Sequence, residues 1–157
     1  MPLTRKIARP LLASMFVSGG IDAVRHAETR ERSAEPVTSK LAGPLGLPDD
    51  TAVLVKINGA VQVGAGLLLA TGRVPRLAAA ALAVTLVPTT LAGHRFWEED
   101  GAARAGQQIH FLKNLSMMGG LILAATDTEG NPSLAWRARH AAERARQAAE
   151  RTLPLGD

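Results

Sequence analysis

The sequence predicts an all-α protein: a bundle of four transmembrane helices followed by an amphipathic, cytoplasmic C-terminal helix. Three observations predict it. Charge is segregated along the 157 residues: mean hydropathy is close to neutral at +0.07, yet charges crowd into residues 22–50, 94–104 and 127–157 while Leu, Ala, Val and Gly fill the stretches between. Those stretches hold four segments that approach the roughly 20 residues that cross a hydrocarbon core. Aromatic residues make up only 3% of the chain and Tyr is absent. A soluble core of this size would bury more rings, whereas lipid-facing helices rich in Ala, Leu and Gly need fewer. A soluble bundle of buried helices is the competing reading, because the first and fourth stretches lie near the lower length limit.

The first apolar segment, about 7–24, follows Arg5, Lys6 and Arg9, with Pro10 placed for a first helical turn. Its length also fits a signal peptide, but Asp22, Arg25 and His26 stand where a small-x-small cleavage site would be needed. Residues 25–50 carry Pro36, Gly43, Pro44, Gly46 and Pro48, so they read as a polar connection holding at most a short surface helix. Asp49, Asp50 and Thr51 offer an N-cap to the second segment, about 51–70, and Thr71-Gly72 offers its stop. The third segment, about 75–93, starts at Pro75 and contains Pro88, which should kink it. Thr89 and Thr90 follow and can satisfy backbone groups that Pro88 frees. The short join 72–74 makes the second and third segments antiparallel neighbours. A polar loop, 94–108, leads to the fourth segment, about 109–126, with Lys113 and Asn114 near its start. Residues 1–130 thus form the membrane domain and 131–157 a basic, Ala- and Arg-rich tail helix that Ser133 caps. Leu134 and Trp136 suit a bilayer interface, and the tail arginines suit anionic headgroups or a docking partner. No internal repeat stands out.

Topology follows from charge. An even helix count puts both termini on one side. Arg5, Lys6, Arg9, Arg73, Arg76 and the tail residues Arg137, Arg139, Arg144, Arg146 and Arg151 outnumber Arg25, Arg30, Arg32, Lys40, Arg95 and Arg104 on the other. The basic excess places both termini in the cytoplasm.

This topology sets the depth of the polar residues. Lys56 and Lys113 each fall four or five residues into a helix that enters from the outer side, roughly 6–8 Å along the axis. Asn58 and Asn114 share that level, Gln62 is one turn deeper on the face of Asn58, and Asp22 arrives there at the end of the first helix. An outer-leaflet layer of Asp22, Lys56, Asn58, Gln62, Lys113 and Asn114 is the candidate ligand site. It suits an anion or the head group of a quinone. The alternative is that the lysines snorkel and the amides tie helices together.

Other chemistries find no support in the sequence. With no cysteine there is no thiol nucleophile, disulfide or thiolate metal site. His26, His94 and His110 gather at one boundary without a metal-ligand spacing, and no histidine lies deep enough to hold a haem. Neither a nucleotide-binding glycine loop nor a Ser-His-Asp set can be assigned. The net charge of +4 lacks the aromatic-interleaved patch of a nucleic-acid binder. No metal, haem or nucleic acid is expected.

The residues in hand resemble the DoxX family of small bacterial four-helix membrane proteins. The likeness runs from Arg9 to about Thr126. It rests on the first-helix pattern Arg9–Gly20, on Gln62-Val63-Gly64-Ala65-Gly66-Leu67 followed by Gly72-Arg73, and on Phe111-Leu112-Lys113-Asn114-Leu115 with Gly119-Gly120. Gly93-His94-Arg95-Phe96-Trp97 and Asp127-Thr128-Glu129-Gly130 look like the actinobacterial branch. The resemblance implies an association with quinol oxidase and thiosulfate:quinone oxidoreduction, and with complexes that handle oxidative and thiol stress. Many members carry Glu where Gln62 stands, so a proton-handling role does not transfer to that position. The expectation is a non-catalytic membrane subunit or scaffold with redox-enzyme partners, or with further copies of itself, rather than a self-sufficient oxidoreductase. A quinone-binding oxidoreductase component and a small-solute carrier are the alternatives.

Overall fold

The computed structural model describes residues 3–128, 130, 132 and 134–152. Six α-helices follow one another: α1 Leu3–Arg25, α2 Ala27–Leu45, α3 Thr51–Thr71, α4 Pro75–Gly93, α5 Gly101–Thr126 and α6 Leu134–Thr152, with a 3-10 turn at Phe96–Glu98 between α4 and α5. No strand occurs among the described residues. The chain divides into two compact units, Met1–Thr126 and Asp127–Asp157. The second unit holds α6; Ser133, expected to cap it, lies outside the described residues.

α1 begins a turn earlier than the sequence predicts, so Pro10 lies inside it rather than in the first turn. It buries Arg9, Ala13, Phe16, Gly20 and Ala23, a seam spaced alternately by four and three residues, as one helix packed along another requires. That partner is α3, which buries Leu54, Gly59, Gln62, Ala65, Gly66 and Leu69. The two backbones nearly touch. A Cβ on Gly20 would lie 2.6 Å from the carbonyl oxygen of Gly59, and a Cβ on Gly59 would lie 2.8 Å from that of Gly20. One heptad away, a Cβ on Gly66 would meet Val17 at 2.8 Å. Rising numbers on α3 meet falling numbers on α1, so the pair is antiparallel. Close backbone approach through small residues is how helices associate where lipid removes the hydrophobic drive. Gly19, Gly64 and Gly119, by contrast, meet nothing within 4 Å.

Asp50 caps α3 by accepting from the Val53 amide at 2.9 Å. Gly72 stops it with a left-handed φ of 70°, and Arg73 N donates to Leu68 O at 2.9 Å, the double-bonded ending that a glycine allows without strain. Val74 then takes φ 44°, unusual for a β-branched residue, and Pro75 opens α4. α4 buries Ala78, Ala79, Leu82, Thr85 and Leu86 between α3 and α5. Leu69, Leu82 and Leu121 are the fully buried large side chains of the core. At its start Arg76 Nε donates to Ala125 O at 2.9 Å, which sets the beginning of α4 beside the end of α5.

Two elements differ from the sequence expectation. Residues 27–45 form a full 19-residue helix, α2, rather than a loop with a short helical piece. It buries a stripe of small residues, Ala27, Ala34 and Ala42, and leaves Glu28, Arg30, Glu31, Arg32, Glu35 and Lys40 exposed. Pro36 and Pro44 fit because the carbonyls they deprive face the polar side of an exposed helix. Since α1 ends and α3 begins at the same end of the bundle, α2 stays at that end, packed on α3 and α4 with Thr38 Oγ1 at 2.8 Å from Thr51 Oγ1. The fourth apolar segment also extends backwards: α5 starts at Gly101, not near Ile109, because Ala102, Ala103, Arg104, Ala105, Gln107 and Gln108 are strong helix formers.

Among the described residues three helices are long and apolar enough to cross a membrane: α1, α3, and α4 with the turn after it. α5 has the length, but His110, Lys113 and Asn114 lower its hydropathy. Large apolar side chains face outward along α1, α3, α4 and α5, with Leu11, Met15, Leu67, Leu77, Val84, Leu115 and Leu123 all exposed, as a lipid-facing surface requires.

Candidate functional site

Pro88 organises the polar centre of the bundle. Lacking an N–H, it leaves the carbonyl of Val84 without its helical donor. The next two residues are threonines that bond back into the helix: Thr89 Oγ1 donates to Thr85 O at 2.8 Å and Thr90 Oγ1 donates to Leu86 O at 2.7 Å. The sequence expected these threonines to satisfy the groups that Pro88 frees; they bond the carbonyls of Thr85 and Leu86 instead of that of Val84. The sequence did not reveal that both hydroxyls also accept from neighbouring helices.

Asn58 Nδ2 and Gln62 Nε2, one turn apart on α3, both donate to Thr89 Oγ1, at 3.0 and 3.1 Å. Asn114 Nδ2 on α5 donates to Thr90 Oγ1 at 3.0 Å. A hydroxyl has one proton and two lone pairs. Thr89 uses all three, and because its proton is held by Thr85 O, the two amides must present N–H to it. Each of the three amides therefore keeps one N–H and its carbonyl oxygen for other partners. Gln62 is 5% exposed and Asn114 8%, so these are interior groups. The signal for this node was present in the sequence: Thr85, Thr89 and Thr90 are the polar residues of α4 after Arg76.

The charged members of the expected layer are placed differently. Asp22, at the end of α1, is held by His26 Nδ1 at 2.8 Å and by Arg30 of α2. It joins α1 to α2 and stands half-exposed. Lys56 and Lys113 are exposed on α3 and α5, and among the described residues neither makes a hydrogen bond or ion pair. The three amides converge on α4; the three charged residues lie outside that convergence.

A second cluster closes the turn between α4 and α5. The His94 ring stacks on His110 with centroids 5.1 Å apart, and His94 Nδ1 lies 2.8 Å from Gln107 Oε1. Phe96 and Trp97 each meet Phe111 edge to face, at 5.3 and 6.1 Å. Trp97 and the two histidines, rings with polar atoms at a helix end, match the belt that membrane proteins place at the lipid–water boundary. Among the described residues no three His, Asp or Glu side chains converge on a point that would hold a metal ion.

No curated protein and no solved structure matches this chain. The DoxX family model matches residues 5–95, a stretch that takes in α1 to α4 and leaves α5, with Lys113 and Asn114, beyond its end. With apolar helices long enough to cross a bilayer more than once, the chain is a small multi-pass membrane protein, and with the match covering more than half its length it belongs to the DoxX family.

Proposed function

We propose that this protein is a non-catalytic membrane subunit of a redox-linked complex, with α5 as the fourth span. On this reading both termini are cytoplasmic, residues 1–130 are the membrane domain and 131–157 the cytoplasmic tail. The supporting observation is the way the interior is filled. Its buried polar side chains among the described residues are Arg9, Thr51, Gln62, Thr85 and Asn114, with no carboxylate or histidine among them. The amides are engaged in joining helices. On this reading proton-coupled electron transfer belongs to a partner. The redox link is what the family resemblance implies. Crosslinking in native membranes followed by affinity capture of the tagged chain is expected to recover oxidoreductase subunits in constant ratio. Recovery of copies of this chain alone would overturn the reading.

A second reading, a quinone-binding component, is favoured by one observation: Asn58, Gln62 and Asn114 each retain an N–H and a carbonyl oxygen after bonding their threonine. The site would be the layer of Asp22, Lys56, Asn58, Gln62, Lys113 and Asn114, with the amides at the ring oxygens. Native mass spectrometry of the protein extracted with its lipids is then expected to find a quinone that Gln62→Leu and Lys113→Ala each displace. A wild-type sample carrying phospholipid alone would remove this reading and leave the first intact.

A further inference from the structure

α6 carries a sequence repeat that becomes visible once its bounds are known. Residues 137–143 read RARHAAE and residues 144–150 read RARQAAE, two heptads within one helix. At 3.6 residues per turn a seven-residue repeat returns each residue type to almost the same face. Ala138, Ala141, Ala142 and Ala145 form one exposed stripe. Arg139 and Arg146 border it on one side and Arg144 on the other. Glu143 lies opposite. So does Trp136, whose ring stacks on His140 at 3.7 Å; it therefore points away from the stripe that a bilayer anchor would share.

The geometry points to one occupant for this face: the anionic headgroup surface of the membrane that holds the bundle, with α6 lying flat and its alanines toward the lipid. The inference rests on the reading that α5 ends at that surface, which tethers α6 through only the residues from 127 to 133. Charge complementarity decides between occupants. Arginines bordering an apolar stripe sit at phosphate level while the acid points to water, the arrangement of an interfacial helix. A second copy is disfavoured, because among the described side chains of α6 no acid borders the stripe to answer the arginines of its mate. Alanine contributes little burial, so attachment depends on the arginines and on anionic lipid.

The chain has no cysteine, so single spin labels at Ala141→Cys and Glu143→Cys of the full-length protein in nanodiscs test this directly. In discs containing about one-third phosphatidylglycerol the label at 141 is expected to be accessible to oxygen and shielded from a water-soluble quencher, and the label at 143 the reverse. In pure phosphatidylcholine both are expected in water. Arg139→Glu with Arg146→Glu is expected to weaken the docked state roughly tenfold or more, as is high salt. Trp136 is expected to stay open to acrylamide in both discs. Water exposure of both labels in anionic discs would overturn the proposal. So would docking that ignores lipid charge, label–label coupling showing a second copy, or shielding that needs an added acidic protein. Incorporation into the disc reports the bundle separately, so failure of the α6 inference is distinguishable from failure of the membrane reading.

Discussion

Replacing Gly59 by Leu is expected to prevent the bundle from forming, and Gly59→Ala to destabilise it by about 2 kcal/mol, even though alanine is the better helix former. Any Cβ at this position meets the backbone oxygen of Gly20 at 2.8 Å and lies 3.1 Å from both the Ala23 Cβ and the Val24 Cγ2. Backbone cannot rotate away as a side chain can, so α1 and α3 must separate along their whole seam. Gly66 and Ala13 lose contact with them, since they sit one heptad along the same interface. Leucine adds three more carbons to that clash. Overpacking typically costs about 1–3 kcal/mol and more where no rotamer fits, a large fraction of the roughly 5–15 kcal/mol that holds a domain together. The control is Gly64→Ala. Nothing lies within 4 Å of that Cβ, so it is expected to be neutral or to gain up to about 1 kcal/mol. Thermal unfolding of the purified protein in mild detergent reads both. Equal and small effects at Gly59 and Gly64 would show that α1 and α3 do not meet as described.

This contrast also shows what a sequence conveys about such a fold. α1, α3 and α4 were legible because an apolar run of membrane length has little else to become. The end of α3 was legible because Asp50 and Gly72 act through local geometry. α2 was not: Pro36, Pro44 and its charges read as a loop, and only packing of Ala27, Ala34 and Ala42 on the bundle makes those residues a helix. The choice of packing glycines was also hidden. A helix that is apolar all round carries no moment to say which face meets a partner, so Gly19 and Gly20, or Gly59 and Gly64, look alike until the partner is in place. The candidate layer illustrates the same limit. Counting residues from the helix ends put Asn58 and Asn114 at one level with Gln62 a turn deeper, and all three amides bond the adjacent threonines Thr89 and Thr90. Counting gave no rotation, and rotation is what separates the converging amides from exposed Lys56 and Lys113 and from Asp22, engaged by His26 and Arg30.

Thr89→Val, which keeps the shape of the side chain and removes its hydroxyl, is expected to destabilise the protein by about 2 kcal/mol, twice the effect of Thr90→Val. Thr89 is the acceptor for both Asn58 and Gln62, whereas Thr90 accepts from Asn114 alone. Two estimates bear on the size. A buried polar group left without a partner costs about 1–3 kcal/mol, which would put the loss nearer 4. Interhelical hydrogen bonds within membranes average only about 0.6 kcal/mol, with a maximum near 1.7, because separated helices find other partners. The lower figure governs here, raised by the deep burial of Gln62. Thr89→Ser is expected to retain most of the stability. The decisive variant combines Thr89→Val with Asn58→Leu and Gln62→Leu. Removing donors together with their acceptor leaves no orphan, and such paired replacements are close to neutral. If the amides serve only to join α3 to α4, the triple variant unfolds near the wild-type temperature and still captures the wild-type set of partners from the membrane. If it folds equally well but loses a bound quinone or a partner, then the unused amide N–H and carbonyl groups face a ligand, and the polar centre beside Pro88 is a site as well as a joint.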